Sequence, residues 1–382
     1  IKFITLYHLI FIVKIKKNMT ICLIGQNLTT LVLGKILVNK GLKVDLYYSN
    51  NKFSKNKIKT SSRTIGLSND NLEFLQNQKI LKKKNCWSIK QINLYRGENL
   101  KSFLNFNSKK NSFFMTSYNV FYKSLENKLK KNKMIKFKNR FNQDIFFDFK
   151  KKNYEIIINT DSANFLFKKY FSKQIQKDYD SFAFTTIIDH KKTKNIIAEQ
   201  YFTQFGPLAF LPISNTRTSI VFSVLGKSLT NDESQVKELI ERYNRNYKIT
   251  KIRSLQKFPI NLSLSRNYFH KNILSFGDAI HRIHPLAGQG FNMTLRDCKI
   301  LSELIQKNLE LGLNLDTVLN KFEKKRKNSN YIFATGIDFL HEFFKLTNKY
   351  NIKSIDNIFK FLNQNSFIKK KIEKIADRGL AI

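Results

Sequence analysis

The residues with the clearest chemical potential lie between positions 277 and 292, directly after a short apolar stretch, 273–276, that predicts a buried strand. Asp278 follows this strand, where a carboxylate can hold the hydroxyls of a ribose. Gly288 and Gly290 allow backbone amides to approach a ligand at the start of a helix predicted over residues 291–311. Because a helix N-terminus stabilises nearby negative charge by up to about 2 kcal/mol, this stretch suits a ligand that carries negative charge.

The N-terminal region predicts the elements that would position such a ligand. A strand at residues 20–24, a turn at Gly25, a helix at 29–39 and a strand at 44–48 form a βαβ unit. Dinucleotide-binding folds place their first phosphate turn between the first strand and the helix of such a unit. Further along the chain, periodicity predicts a helix at 119–131, a strand at 154–159 and several antiparallel strands at 181–224. The remainder is predicted to be mostly helical.

Eight residues of this C-terminal stretch match one family fingerprint: Gly277, Asp278, His284, Pro285, Gly288, Gln289, Gly290 and Asn292. The pattern resembles the third fingerprint of the para-hydroxybenzoate hydroxylase superfamily of flavin monooxygenases. Within that superfamily the chain is most similar to the ubiquinone-biosynthesis hydroxylases, because residues 206–212 repeat the motif of their substrate sheet. The resemblance covers about residues 20–344, and its further matches are Arg63 with Leu67 and Ser68, residues 198–203 and residues 258–260.

The resemblance implies an α/β fold. A Rossmann-like FAD-binding domain with a mostly parallel sheet would carry an inserted antiparallel β-sheet domain for the substrate, followed by C-terminal helices, and the length of 382 residues favours two domains. We assign the ranges as follows: 19–80, 109–172 and 265–312 to the discontinuous FAD-binding domain, 81–108 and 173–264 to the substrate domain, and 313–382 to the C-terminal helical region. Residues 1–18 are a doubtful leader or upstream extension, because Met19 directly precedes the first strand and the segment is too short to span a bilayer.

The resemblance also implies roles for single residues. Asp278 would bind ribose or ribityl hydroxyls of FAD, residues 285–292 would line the isoalloxazine, and Arg63 would lie on the FAD. Asp161 takes the place of the acid in the family's central DG motif, which is associated with FAD and the nicotinamide nucleotide. The cofactor-binding set is Gly25, Arg63, Asp161, Gly277, Asp278, Pro285, Gly288, Gln289, Gly290, Phe291 and Asn292. Phe210 and Pro212 are predicted to line the substrate pocket, and no catalytic base is singled out.

The chain departs from the family at the phosphate turn, residues 25–30. The family's GxGxxG glycines fall on Gly25, Asn27 and Thr30, so only the first is a glycine here. Side chains at positions 27 and 30 crowd the pyrophosphate or the helix packing, and Tyr48 stands where an acid would hold two ribose hydroxyls. The sequence therefore predicts weakened binding of the dinucleotide end of FAD.

The function implied by the resemblance is hydroxylation of the aromatic ring of a polyprenylated phenol in ubiquinone biosynthesis. NAD(P)H would reduce FAD, and O2 would react through a flavin hydroperoxide. Two alternatives stay open: a decayed paralogue that serves as a scaffold in a quinone-synthesis assembly, and a flavin-dependent reductase of isoprenoid lipids. His281 and His284 could suggest a metal pair, but only Asp278 lies near them in the sequence as a further ligand, so no metal is expected.

The composition bears on partners and location. A formal net charge of +40 can indicate nucleic acid or an anionic membrane. However, the lysines are dispersed and the excess of Lys, Asn, Ile and Phe fits A/T-rich codons, so no nucleic-acid partner is expected. Three widely spaced cysteines fit a cytoplasmic location.

An apolar helical stripe near the end of the sequence is flanked by lysines. This pattern favours either peripheral contact with the inner face of a membrane or packing on the protein body. The stripe consists of Ile355, Ile358, Phe359, Leu362, Ile368, Ile372 and Ile375.

Overall fold

The computed structural model describes residues 19–48, 63–97, 102–107, 113–224, 233–284, 288–350 and 364–379. Some residues discussed above lie outside this set: the doubtful leader 1–18, Pro285, and the first four members of the C-terminal stripe, Ile355, Ile358, Phe359 and Leu362.

The described elements have the following bounds. The strands are β1 (Thr20–Ile24), β2 (Lys43–Tyr48), β3 (Thr64–Ser68), β4 (Trp87–Ile89), β5 (Gln91–Arg96), β6 (Leu104–Asn107), β7 (Phe113–Ser117), β8 (Ile135–Arg140), β9 (Ile156–Asn159), β10 (Gln174–His190), β11 (Ile197–Thr203), β12 (Gly206–Ser214), β13 (Arg217–Val224), β14 (Ile249–Ile252), β15 (Gln256–Ser265), β16 (Phe269–His270), β17 (Ile273–Ser275) and β18 (His281–Arg282). The helices are α1 (Leu28–Asn39), α2 (Asn69–Asn77), α3 (Tyr118–Lys130), α4 (Gln143–Lys152), α5 (Phe165–Tyr170), α6 (Glu233–Tyr243), α7 (Gln289–Glu310), α8 (Asp316–Tyr350) and α9 (Ser366–Arg378), with 3₁₀ turns at Lys83–Asn85 and Gly277–Ala279.

The first sheet is mostly parallel and has six strands in the order β16-β17-β9-β1-β2-β8. β1 lies between β2 and β9 and is parallel to both, which confirms the predicted βαβ unit. The residues of β1 from Ile21 to Ile24 are all fully buried, as expected for a parallel strand covered by helices on both faces. Because the carboxyl ends of parallel strands meet at one edge, the segments after β1, β9 and β17 come together there.

The second sheet has the order β18-β15-β10-β13-β12-β11-β5-β6, and β14 also pairs with β10. Its pairs are antiparallel except for β5 with β11, so the antiparallel block predicted over residues 181–224 is confirmed. The short strand β18 pairs with β15 through Ser263 opposite Arg282 and Leu264 opposite His281. The chain thus leaves the first sheet at β17 and enters the second sheet a few residues later.

A third sheet of three antiparallel strands, β3-β7-β4, lies beside both. β3 contacts α7, and β12 of the second sheet contacts β4 and β7. This small sheet therefore connects the start of α7 to the predicted substrate strand. The helix predicted over residues 291–311 is α7, and it begins two residues earlier, at Gln289.

Candidate functional site

The fingerprint segment, residues 277–292, starts at the carboxyl end of β17. Gly277 adopts a φ of 65°, and a Cβ added there would lie 3.0 Å from Cγ2 of Thr29, so the turn packs against the start of α1. A left-handed backbone in close contact favours glycine. The next residue, Asp278, is exposed at this edge of the first sheet. Its carboxylate is therefore available to a ligand.

The second half of the fingerprint segment forms the N-terminus of α7. Gly288 is the N-cap residue with a φ of 63°, and no side chain of the described residues caps this helix. A Cβ on Gly288 would lie 3.8 Å from the backbone of Gly66 and 3.9 Å from the ring of Phe113. The positive end of α7 thus lies beside β3 and β7, and no side chain in the described part of the chain accepts from its first amides, which suits an anionic ligand.

Asn292 fixes the first turn of α7 to β3. Its side chain is fully buried, and its Nδ2 donates to the carbonyl oxygens of Gly66 at 2.9 Å and Gly288 at 3.0 Å. Its Oδ1 accepts from the backbone amide of Ser68 at 3.0 Å and from Nδ2 of Asn71 at 2.9 Å. The Asn292 side chain therefore positions backbone that surrounds the site.

A buried ion network lies behind the fingerprint segment. Asp297 on α7 is fully buried and accepts from Nε2 of His281 at 2.7 Å, from Nε of Arg326 at 2.5 Å and from Nδ2 of Asn330 at 3.1 Å. Burial acts to raise the pKa of Asp297, but the charge of Arg326 and the hydrogen bond from His281 outweigh it and hold the pKa below its usual value. The network ties β18 to α7 and α8.

The phosphate turn is closed by side chains of the turn itself and by Thr160, which follows β9. Oδ1 of Asn27 accepts from the amide of Thr30 at 3.0 Å, and Nδ2 of Asn27 donates to Oγ1 of Thr160 at 2.9 Å. The hydroxyls of Thr30 and Thr160 are 2.6 Å apart, and a Cβ on Gly25 would lie 2.1 Å from Oγ1 of Thr160. Gly25 is therefore required by its φ of 142° and by this contact, while Asn27 and Thr30 fill the space that glycines leave open in the family pattern.

Arg63 and Tyr118 lie beside the same turn. The amide of Leu28, at the start of α1, donates to Oη of Tyr118 at 3.3 Å, and Cζ of Arg63 lies 4.9 Å from the centre of the Tyr118 ring. Burial raises the pKa of Tyr118, and the charge of Asp278 acts in the same direction. Arg63, Tyr118 and Asp278 are thus gathered within electrostatic range of each other at the edge of the first sheet.

Asp161 and Tyr48 follow two other strands at this edge. Oδ1 of Asp161 accepts from the amide of Ala163 at 2.9 Å, while its Oδ2 is buried and has no hydrogen-bond partner in the described structure. Ser162, which stands where the family has glycine, accepts a 3.5 Å contact from Nη2 of Arg282. Tyr48 ends β2 half-buried, and burial raises the pKa of its hydroxyl. Asp161 thus brings a carboxylate oxygen that is unpaired within the described structure to the position directly after Thr160.

The predicted substrate residues lie on one face of β12. Phe210 is fully buried and packs edge-on against Tyr201 in a cluster that includes residues of α6. Alternation along the strand puts Pro212 on the same face and Leu211 and Ile213 on the other. Leu211 and Ile213 pack in a separate apolar cluster with Phe113 and Trp87. The other members of this cluster are Ile89, Ile92, Met115 and Ala198. The face toward the start of α7 is therefore the one that carries Leu211 and Ile213.

Gln289 and Phe291 belong to the first turn of α7. Gln289 is buried and its Oε1 lies 3.5 Å from Nη2 of Arg296, whereas Phe291 is half-buried. Arg296 also donates to the carbonyl oxygen of Ala376 at 2.8 Å, near the C-terminus of α9. Burial lowers the pKa of Arg296 to about 10. The last turn of α9 thus packs close to the start of α7.

His284 forms a buried stack with His341 of α8. Their ring centroids are 4.1 Å apart, and Tyr179 of β10 packs edge-on against both rings. Burial, followed by the neighbouring His341, lowers the pKa of His284 to about 3, so both rings of the stack are neutral near pH 7. This stack joins the fingerprint segment to β10 and α8.

Sequence reasoning did not find four residues that the structure places around the site: Phe113, Tyr118, Asp297 and His341. Phe113 and Tyr118 both precede the helix predicted over residues 119–131, and nothing in their local pattern indicates contact with residues 66 or 28. Asp297 offered a signal, because a charged residue on an otherwise apolar helix face needs a buried partner. The described residues hold no group of three or more His, Cys, Asp or Glu placed to share a metal ion.

Comparison with known proteins shows what the chain and its fold are similar to. A family described as an FAD binding domain matches residues 149–329. The fold is similar to that of p-nitrophenol 4-monooxygenase from Pseudomonas putida, with a TM-score of 0.76 at 12% identity over 95% of this chain and 100% of that one. It is also similar to Klebsiella pneumoniae HpxO complexed with FAD and uric acid, with a TM-score of 0.70 at 11% identity over 95% and 97% of the two chains. The chain thus shares its fold with these two proteins and carries a match to an FAD binding domain.

Several curated proteins match parts of this chain. A ubiquinone biosynthesis monooxygenase of Danio rerio is 23% identical over 230 residues, which cover 49% of this chain and 47% of that protein. The 3-demethoxyubiquinol 3-hydroxylase of Escherichia coli is 29% identical over 150 residues, which cover 37% of this chain and 38% of that protein. Over the matched parts, the chain is similar to these ubiquinone-biosynthesis hydroxylases. It spans less than half the length of the curated relatives it matches.

Proposed function

We propose that this protein is an FAD-dependent monooxygenase that hydroxylates the aromatic ring of a polyprenylated phenol in ubiquinone biosynthesis, with NAD(P)H and O2 as co-substrates. The observation that carries the proposal is the position of the fingerprint segment. It presents Asp278 at the edge of the parallel sheet and places the N-terminus of α7, which no described side chain caps, beside β3. It also enters the antiparallel sheet through β18.

The residues present fit a flavin at the α7 end of the site. The backbone around Gly288 and Gly290 would lie against the ring, and the positive end of α7 would stabilise negative charge on it by up to about 2 kcal/mol. Asp278 would accept from ribityl or ribose hydroxyls, and Arg63 and Asp161 would lie along the same edge. When bound, FAD supplies the redox and oxygen chemistry, while this chain binds, orients and shields the reactants.

We assign the substrate side to the face of β12 that carries Leu211 and Ile213, together with Phe113. These apolar side chains pack together, and Phe113 also approaches Gly66 and Gly288. An aromatic ring held against this face would lie next to the N-terminus of α7. The same apolar wall would exclude water from the reacting atoms. Phe210 and Pro212 would then support the wall from behind.

The division of the chain into an FAD-binding domain, a substrate domain and a C-terminal helical region follows the same proposal. Residues 19–80, 109–172 and 265–312 contain all of the first sheet, and residues 81–108 and 173–264 contain most of the second. β18 is the exception, because it lies in the first group of residues and pairs in the second sheet.

The long isoprenoid tail of the proposed substrate favours peripheral contact with a membrane. Ile332, Phe339 and Leu346 recur every seven residues on α8 and are 47%, 67% and 52% exposed. Phe367 of α9 is 64% exposed, and the exposed lysines near it are Lys370, Lys371 and Lys374. Exposed apolar residues beside lysines match an anionic lipid surface. Among the described residues no helix is both long enough and apolar enough to cross a bilayer.

Membrane contact is tested by sedimentation with vesicles of phosphatidylcholine, with and without phosphatidylglycerol. Binding to the anionic vesicles is expected to fall strongly in the double variant Phe339→Glu, Phe367→Glu. The control is Phe147→Glu on α4, where the side chain is 63% exposed but lies on another element. Equal loss in the control, or no binding by the wild type, would argue against this surface. Binding to a quinone-synthesis assembly is the competing use of the same surface.

The enzymatic proposal is tested with purified protein, added FAD, NAD(P)H and a prenylated phenol in air. The expected result is a yellow protein that oxidises NAD(P)H faster when the phenol is present and yields a product heavier by one oxygen atom. A protein that stays colourless in excess FAD would contradict the proposal and favour the scaffold. NAD(P)H oxidation without an oxygenated product would favour a reductase.

A further inference from the structure

We propose that Asn27 acts as a built-in occupant of the pyrophosphate position, so that this chain holds FAD mainly through its flavin end. The inference rests on the FAD-binding part of the proposed function. Its consequence is measurable, because riboflavin contains the flavin end of FAD without the pyrophosphate. The chain should therefore bind FAD and riboflavin with similar affinities.

The amides that a pyrophosphate would use are already bonded within the protein. In a glycine-rich turn the first amides of the following helix point at the phosphates. In α1 the amide of Leu28 donates to Oη of Tyr118 at 3.3 Å, and the amide of Thr30 donates to Oδ1 of Asn27 at 3.0 Å. Two of the first three amides of α1 thus have neutral acceptors in the place of a phosphate oxygen.

The side chain of Asn27 is held in this position from both ends. Its Oδ1 also accepts from Oγ1 of Thr30 at 3.1 Å, and its Nδ2 donates to Oγ1 and to the carbonyl oxygen of Thr160 at 2.9 and 3.2 Å. Because the Thr30 hydroxyl donates its proton to Asn27, the Thr160 hydroxyl donates to Oγ1 of Thr30 across 2.6 Å, and Oγ1 of Thr160 also lies 3.1 Å from the carbonyl oxygen of Ile24. A phosphate can therefore reach these amides only after several protein hydrogen bonds break.

The two helix N-termini of the site differ in this respect. α7 begins at Gly288, which has no side chain to cap it, whereas α1 begins at Asn27, whose side chain caps it through the Thr30 amide. A helix end capped by its own side chain has already satisfied the amides that make it an anion site. Among the described residues, the α7 end of the site thus has no side-chain cap, whereas the amides at the α1 end already have protein acceptors.

The expected magnitudes follow from the bonds that are lost. Two hydrogen bonds to a charged group normally correspond to about a hundredfold or more in affinity. We therefore expect wild-type protein to bind FAD less than about tenfold more tightly than riboflavin. Asn27→Gly frees the Thr30 amide and should raise FAD affinity about tenfold. Riboflavin affinity should not change.

The test is a fluorescence titration of the full chain with FAD and with riboflavin. Asn27→Asp is the second variant, because it keeps the cap and the size of the side chain but adds a negative charge beside the pyrophosphate. It should lower FAD affinity about tenfold and leave riboflavin affinity unchanged. The control is Asn142→Gly, which removes a similar cap from another helix, α4, where Oδ1 of Asn142 accepts from the amide of Ile145 at 2.8 Å. Thermal melting shows that each variant is folded.

Two results would overturn the inference while leaving the proposed function intact. One is a wild-type protein that binds FAD more than about a hundredfold more tightly than riboflavin. The other is an unchanged FAD affinity in both Asn27 variants. If neither ligand binds to the wild type or to any variant, the proposed function fails and the inference fails with it.

Discussion

Replacing Asp297 with Asn should destabilise the protein strongly, because the carboxylate is the centre of the buried network behind the fingerprint segment. Asp297 is fully buried and accepts from His281, Arg326 and Asn330. The amide group of Asn has the same shape but turns a donor toward His281 or Arg326, and the Arg326 side chain, only 11% exposed, loses its counter-charge. Removing one partner of a buried ion pair costs about 3–5 kcal/mol.

The matched control is Asp189→Asn on β10. Asp189 pairs with Arg253 at 2.8 Å, but the two side chains are 25% and 42% exposed. Such an exposed pair contributes at most about 1 kcal/mol. Urea unfolding of both variants and the wild type, followed by tryptophan fluorescence and circular dichroism, gives the comparison. Equal losses of unfolding free energy, or a loss below about 1 kcal/mol in the Asp297 variant, would refute the reasoning.

Three further predictions concern the same region. Gly66→Ala should cost about 1–3 kcal/mol of unfolding free energy, because the new Cβ would lie 2.2 Å from the Phe113 ring, and adding Phe113→Ala should restore part of it in thermal melts. Asn292→Ala should cost about 2–5 kcal/mol in urea unfolding, because it leaves buried backbone groups of β3 without partners. The pKa of His284 is lowered to about 3, so the unfolded state binds one more proton as pH falls below about 6.5. Unfolding free energy should therefore fall by up to about 1.4 kcal/mol per pH unit toward pH 4, and His284→Gln should remove that part of the slope.

Much of the fold could be predicted because its signals are local. The strand at Thr20–Ile24, the helix that follows and the strand at Lys43–Tyr48 each carry their own periodicity and turn residues. The same holds for α7, whose apolar face and preceding glycines mark its start to within two residues. The fingerprint segment was recognisable because its glycines, acid and asparagine occur at fixed spacing within one short stretch.

The parts that could not be predicted depend on contacts between distant segments. The strand β12 was found, but its alternation alone does not tell which face meets α6 and which meets Phe113. Asn27 was recognised as a departure from a glycine, yet its closure of the turn requires Thr160, which is 133 residues away. Tyr118 likewise caps α1 from 90 residues away.

The pairing of β18 with β15 has a consequence for protein engineering. Because Asp278 lies three residues before β18, any substitution that shifts β15 would also tilt the carboxylate proposed to hold the cofactor. A redesign of the pocket for a bulkier phenol is therefore safer on the Leu211 and Ile213 side of β12, which is separated from β15 by β13 and β10. Substrate specificity would then be changed on one strand without moving the residues proposed to bind the flavin.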